Sequence, residues 1–133
     1  MLHFSRSQLN QIADAQFRSR LDAAMRRTVP EYAGASPALR DEFVMLALDC
    51  AGAASLVTEQ GIAAYALGAW YIEPEFEHRS RLLLALLKTT LPEFRKVHAL
   101  NEWLHAVIGN PSDVESADMA LRKSFDATRA WGV

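Results

Sequence analysis

The sequence has little of the material from which several protein classes are built. The single cysteine, Cys50, cannot form an internal disulfide, and its apolar surroundings in the chain predict a buried, reduced thiol. The longest apolar run, residues 82–87, is far shorter than a membrane span. The first residues show no charged segment, apolar run or cleavage site of a signal peptide. We therefore expect a cytoplasmic protein that is neither secreted through a signal peptide nor inserted in a membrane.

Charge of one sign is also lacking. Fourteen basic residues face sixteen acidic ones, for a formal net charge of -2, so there is no general attraction to nucleic acid or anionic lipid. Four arginines make the first helical segment locally basic, but two aspartates interrupt them and no aromatic residues interleave for base stacking (Arg18, Arg20, Arg26, Arg27, Asp14, Asp22). A solvated helix face explains this segment, and neither nucleic acid nor membrane is an expected partner.

What the chain does have is helical periodicity. Half of its 133 residues are apolar, enough for a domain with its own core. Apolar residues recur at three- and four-residue steps, and strand-like alternation is missing. The pattern predicts an all-α fold, a compact bundle of about six helices in a single domain, residues 1–133. The predicted helices run from residue 7 to 28, from the Ser36-Pro37 start to 54, from a Thr58 cap to about 73, from 78 to 90, from Leu91-Pro92 to 108, and from Ser112 onward.

The same spacing predicts which side chains face inward. The leucine-rich helix over residues 78–90 is expected to be central, with Leu84 and Leu87 buried. Residues 28–36 are expected to form a loop, because the residue before Pro30 is pushed out of helical geometry. The further inward stripes comprise Leu39, Phe43, Leu46, Ala47, Cys50, Ala51 and Ala54 in the second helix, Phe94, Val97, Leu100, Leu104, Val107 and Ile108 in the fifth, and Ala117, Leu121, Phe125 and Trp131 in the last.

Metal-binding chemistry has one sequence pattern in its favour. Glu75 and His78, like Glu102 and His105, form Glu-x-x-His steps, and in di-metal bundles two such steps combine with carboxylates from two further helices. His98 together with Glu102 and His105 offers a second pattern, for a single zinc. The first two predicted helices place no carboxylate in their apolar stripes, and the histidines lie off the inner stripe of the fifth. Solvated side chains explain the pattern better, so we expect no metal.

Nucleophilic catalysis has no visible constellation. No serine lies in a Gly-x-Ser-x-Gly turn, and the six glycines form no phosphate-binding loop. The sequence thus predicts a protein that is not an enzyme and carries no cofactor.

Aromatic residues crowd the predicted turn after the third helix. Trp70, Tyr71 and Phe76 either anchor this connection to the core or form a partner-binding patch, since tryptophan and tyrosine at a rigid turn are typical interface anchors. Tyr71 lies about 100° around the helix from the inward stripe and is expected to reach solvent. Trp70, Tyr71 and Phe76 are therefore the candidate partner-binding residues.

Residues 56–65 and 67–77 resemble small bacterial proteins encoded beside type VI secretion genes. In this pattern an aliphatic residue and a capping residue, here Thr58, lead into a helix with an aromatic residue and then into a turn with proline. Ser7-Gln8-Leu9 and Thr28-Val29-Pro30 look similar too. The chain departs from that pattern at three places: Ser55-Leu56 stands where the pattern has Tyr-Gly, Gly61 replaces an acidic residue and Glu73 replaces a glycine.

The resemblance implies a cytoplasmic accessory whose partner is another protein: an effector, a spike component or a toxin. The leading hypothesis is a non-enzymatic adaptor or chaperone of type VI secretion effectors or spike proteins. An immunity protein that neutralises a co-encoded toxin is the alternative within binding proteins. A small metal-binding helical bundle enzyme is the alternative of another class.

Overall fold

The computed structural model describes the backbone of residues 6–108 and 113–131 and the side chains of residues 15–108 and 113–123. The described chain is all-α, as predicted, and contains no strand. Its α-helices are α1 (Arg6–Thr28), α2 (Pro30–Ala33), α3 (Pro37–Ala53), α4 (Glu59–Tyr71), α5 (Arg81–Leu87), α6 (Glu93–Val107) and α7 (Val114–Trp131). A 3₁₀ helix, Phe76–Arg79, precedes α5. In the described ranges, none of the helices has the length and apolar character needed to cross a membrane.

Contacts divide the chain into two compact units, Met1–Leu46 and Ala47–Val133. We call them unit 1 and unit 2. The boundary falls within α3, so α1, α2 and the first part of α3 belong to unit 1. The rest of α3 and the later helices belong to unit 2.

Unit 1 contains a short helix where the sequence predicts a loop. Val29 ends α1 with an extended backbone, as the following proline requires. The same proline then occupies the first position of α2, where its fixed φ and missing N–H are favourable. This turn of helix places Tyr32 in the core of unit 1, where its side chain is fully buried.

The start of α3 is as predicted, and its inward face is predicted correctly only in its second half. Ser36 Oγ accepts the N–H of Leu39 at 3.2 Å and so caps the helix. Leu39 and Leu46, predicted to face inward, are 50% and 45% exposed. Ala47, Cys50 and Ala51 of the predicted stripe are buried, together with Val44, which the predicted stripe does not include.

The segment predicted as one central helix over residues 78–90 is divided at Ser80. This residue has an extended backbone, with φ at -131°, and its Oγ accepts the N–H of Leu83 at 3.0 Å. The predicted continuous helix is therefore wrong, because Ser80 ends the 3₁₀ helix and caps α5. Leu87 is fully buried, as predicted, whereas Leu84 is half-buried.

The core of unit 2 is built on three aromatic rings. The ring centroids of Tyr65 and Phe76 lie 4.8 Å apart, and those of Phe76 and Trp103 lie 5.8 Å apart in a stacked pair. Gly68 permits this packing, because a Cβ there would lie 2.5 Å from the Phe76 ring. Asp118 of α7 accepts hydrogen bonds from Trp103 Nε1 at 3.0 Å and Ser80 Oγ at 2.6 Å.

The inward face of α6 differs from the predicted stripe. Trp103 was not predicted to be inside and is fully buried, while Phe94 and Ile108, predicted inside, are 69% and 37% exposed. Phe94 precedes the buried Trp103 by nine residues, and at 100° per residue it lies about 180° away from it, on the opposite side of the helix. In α7, Ala117 and Leu121 are buried as predicted. Ser112 and the side chains of Phe125 and Trp131 lie outside the described residues.

Candidate functional site

The predicted partner-binding residues occupy three different environments. Tyr71 is 39% exposed, and Trp70 is half-buried at the end of α4. Phe76 is fully buried, in ring contact with Tyr65 and Trp103. A partner cannot touch Phe76 in this structure, so its assignment to the binding patch is wrong. It anchors the turn instead, which leaves Tyr71 as the most exposed ring of the three.

A buried polar pair holds the same turn in place. Tyr65 donates its hydroxyl to Oε2 of Glu77 at 2.6 Å, and the phenolic oxygen accepts the N–H of Glu75 at 3.0 Å. Glu77 is 3% exposed, so this carboxylate depends on its hydrogen bond inside the protein. Burial raises the pKa of Tyr65 above its ordinary value of 10.0, and the hydrogen bond to Glu77 raises it further. The phenol therefore stays protonated as a permanent donor.

Cys50 is buried, as predicted, and lies close to this pair. Burial raises the pKa of its thiol above 9.0, and the charges of Glu75 and Glu77 act in the same direction. Only a thiolate is a strong nucleophile, so this environment keeps the sulfur unreactive.

Among the side chains described in unit 2, the two most exposed apolar ones lie on backbone that one carboxylate joins. Val57 is 79% exposed and Phe94 is 69% exposed. Glu93, the residue before Phe94, accepts the N–H of Val57 at 2.8 Å and the N–H of Thr58 at 2.6 Å. The start of α6 is thereby fixed to the start of α4. We call Val57, Glu93 and Phe94 the Val57–Phe94 surface.

Glu93 fits there because of the residue at position 61. Thr58 caps α4 as predicted, with its Oγ1 accepting the N–H of Gly61 at 3.0 Å. A Cβ at Gly61 would lie 2.7 Å from Glu93 Oε2, closer than real Cβ atoms approach. Burial opposes ionisation of Glu93, but hydrogen bonds from Thr58 and from the N–H of Val57 outweigh it, so the pKa is lowered below 4.5. Glu93 is therefore a carboxylate at neutral pH.

Unit 1 contains a groove of about 430 Å³ between α1 and the first part of α3. It is lined by Ala15, Arg18, Ser19, Asp22, Asp41, Val44 and Met45. Asp22 organises its base: Oδ1 accepts hydrogen bonds from the buried Tyr32 hydroxyl and, at 3.2 Å, from Arg40, and Oδ2 pairs with Arg26 at 3.0 Å. Burial and the bond to Asp22 raise the pKa of Tyr32 above 10.0, so its hydroxyl remains a donor.

The two Glu-x-x-His steps lie on the surface. Glu75, His78, His98, Glu102 and His105 are all exposed. Among the described residues, no group of three or more histidine, cysteine or acidic side chains is placed to hold a metal ion. The structure therefore does not assemble the ligand sets that the spacing suggests.

The Val57–Phe94 surface was missed by reasoning from the sequence. Phe94 fits an apolar stripe by spacing, and nothing in the local pattern connects Glu93 to a helix that starts 34 residues earlier. Two signals were present: the glutamate directly after Pro92, and the glycine in the first turn of α4 where the resembling pattern has an acidic residue. Both are explained by the contact between Glu93 and α4.

Comparison with known proteins gives no match: no family model fits the chain, and no curated protein or solved structure is significantly similar to it. The resemblance to proteins of type VI secretion clusters therefore stays a prediction, and the functional argument depends on the geometry of this chain.

Proposed function

We propose that the chain is a non-enzymatic accessory protein that binds a protein partner through the Val57–Phe94 surface. The observation that carries the proposal is the exposure of two large apolar side chains, at 79% and 69%, on backbone that one carboxylate holds. Water solvates such side chains poorly, so covering them by a partner is favourable. Scattered single apolar side chains need no explanation, but these two lie on backbone segments that Glu93 joins.

The rigidity of this surface favours binding. Val57 lies between the end of α3 and the cap of α4, and its N–H is bonded to Glu93. Phe94 lies in the first turn of α6, with the Arg95 guanidinium 5.9 Å from the ring centroid. Side chains on fixed backbone lose little entropy when a partner docks on them.

The partner that we propose is an effector or spike protein of a type VI secretion cluster, which the chain serves as a cytoplasmic adaptor or chaperone. The resemblance of residues 56–77 supports this choice. An immunity protein that covers the active site of a toxin would use the same kind of surface, so the experiment below is arranged to separate the two roles.

The experiment measures the affinity of the purified chain for the spike or effector protein encoded by an adjacent gene. We expect the double variant Val57→Ser, Phe94→Ser to bind at least tenfold more weakly. Met119→Ser is the matched control, because Met119 is an exposed apolar side chain elsewhere in unit 2. Tyr71→Ala tests the surface that the sequence predicts. Loss of affinity with Tyr71→Ala and none with the double variant would move the site to the aromatic turn.

A second measurement separates loading from neutralisation. The captured effector is assayed for toxic activity with and without an excess of the chain. An adaptor leaves this activity intact, whereas an immunity protein abolishes it at one chain per toxin. If no product of an adjacent gene binds, the secretion-associated function is wrong.

A further inference from the structure

We propose that the groove in unit 1 is a second binding site, which takes an extended peptide segment with one carboxylate side chain next to an aliphatic one. Arg18 is the residue that would hold the carboxylate. Its guanidinium donates to Sδ of Met45 at 3.0 Å, and among the side chains described in unit 1 this thioether is its one acceptor. A thioether is a weak acceptor, and a guanidinium has five N–H donors. Arg18 thus retains donors for a carboxylate, which it can bind with two parallel hydrogen bonds.

The acidic residues of the groove do not fill this role. Asp22 is engaged by Tyr32, Arg26 and Arg40, so its oxygens are turned to other donors. Asp41 lines the groove from α3 and is exposed. Two aspartates near Arg18 repel a second and third negative charge on a ligand. This arrangement selects a segment with a single carboxylate over a polyanion such as nucleic acid or an acidic repeat.

The apolar part of the groove determines what lies beside that carboxylate. Met45 is 45% exposed, and Val44 contributes the adjoining wall. Bound to Arg18 through its sulfur, Met45 holds the apolar wall next to the charge. An aliphatic side chain one residue from the carboxylate covers this wall. The groove volume of about 430 Å³ is in the range of ligand sites in proteins, although its open shape suits a peptide segment.

The probe is the peptide acetyl-Ala-Leu-Glu-Leu-Ala-amide, titrated into isotopically labelled protein and followed by NMR chemical shifts. The matched probe carries glutamine in place of glutamate and so keeps the shape without the charge. We expect shifts at amides of residues 15–22 and 41–45, with millimolar affinity that falls at least fivefold for the glutamine peptide. The same affinity should fall as salt is raised.

Arg18→Gln should reduce binding of the glutamate peptide to the level of the glutamine peptide. Arg27→Gln is the control, because Arg27 is an exposed arginine of the same helix that does not line the groove. Equal binding of the two peptides, or shifts that Arg18→Gln leaves unchanged, would overturn the proposal. Absence of shifts at the groove would do so as well. These outcomes do not depend on the Val57–Phe94 surface, so the two proposals succeed or fail separately.

Discussion

Units 1 and 2 differ in how their buried polar groups are arranged. In unit 1, a buried tyrosine and two arginines converge on Asp22, whose side chain is 20% exposed. In unit 2, Tyr65, Phe76 and Trp103 pack with leucines in a core whose polar groups occur as small, separate hydrogen-bonded sets. Unit 1 therefore adds one electrostatic centre to an apolar core of Leu21, Met25, Val29 and Val44, whereas unit 2 divides its polar groups among several small sets.

This difference bears on where ligands can bind. The central polar network of unit 1 is adjacent to solvent, so a groove with charged walls remains next to it. In unit 2, the polar pairs Tyr65–Glu77 and Ser80–Asp118 join elements within the core, and apolar surface is left at the start of α4 and α6. A partner that covers unit 2 would thus be recognised by apolar contact, whereas unit 1 selects by charge.

The largest effect should come from the core of unit 2. Leu87→Ala removes a fully buried side chain and should lower the free energy of unfolding by about 2 to 5 kcal/mol. Leu84→Ala is the matched change on the same helix and should cost less, because Leu84 is half-buried. Chemical denaturation measures both. Equal losses for the two variants would mean that α5 is not packed as described.

Within unit 1, removal of the Asp22 carboxylate should lower the free energy of unfolding most. Asp22→Ala leaves the buried hydroxyl of Tyr32 without its acceptor, at a cost of about 1 to 3 kcal/mol. Asp41→Ala, an exposed change on the wall of the same groove, should stay within about 0.5 kcal/mol of the native protein. Hydrogen exchange shows where protection is lost, and we expect the loss in α1 and α2. A similar cost for both aspartates would contradict a central role for Asp22.

The ionised side chain of Glu93, whose two oxygens cap α4, should contribute about 1 kcal/mol to the free energy of unfolding. Its pKa is lower in the folded protein than the unfolded value of 4.5, so the stabilisation is complete above pH 4.5 and is lost as pH falls through the folded pKa. Glu93→Gln keeps the shape and removes the ionisation. Denaturation curves between pH 3 and pH 7 should therefore show a smaller acid-induced loss in this variant. Identical pH profiles would place the stabilisation elsewhere.

Much of the fold follows from local signals in the sequence. The caps at Ser36 and Thr58, the break before Pro30 and the start after Pro92 are each set by neighbouring residues, and each is where the pattern predicts it. Burial of Leu87 and exposure of the histidines on α6 follow from helical spacing.

The failures have a common physical cause. Which stripe of a helix faces inward depends on the neighbouring helices. For that reason Phe94, predicted inside, is exposed, and Trp103, not predicted inside, is buried. Ser80 fits a helix by spacing, yet its hydroxyl bonds to Leu83 and Asp118 and divides the segment. The Glu93 contact joins residues far apart in sequence, so no local pattern can show it.

The smallest effect, and the one gain, is expected at the end of α3. Ser55 has φ at 67°, and the N–H of Leu56 bonds to Ala51 O at 2.9 Å while the N–H of Ser55 bonds to Gly52 O at 3.0 Å. This is the helix-ending geometry that glycine usually supplies, because a Cβ is disfavoured at positive φ.

Ser55→Gly should therefore raise the free energy of unfolding by about 0.5 to 1 kcal/mol, the relief of strain exceeding the entropy that glycine adds to the unfolded chain. Ser36→Gly is the matched comparison, since Ser36 is a serine that caps the other end of α3 and should lose a few tenths of a kcal/mol. Thermal denaturation of the two variants gives the sign directly. A loss at position 55 would show that the serine side chain makes a stabilising contact worth more than the backbone strain, and the end of α3 would then be held by side-chain contacts and not by its backbone.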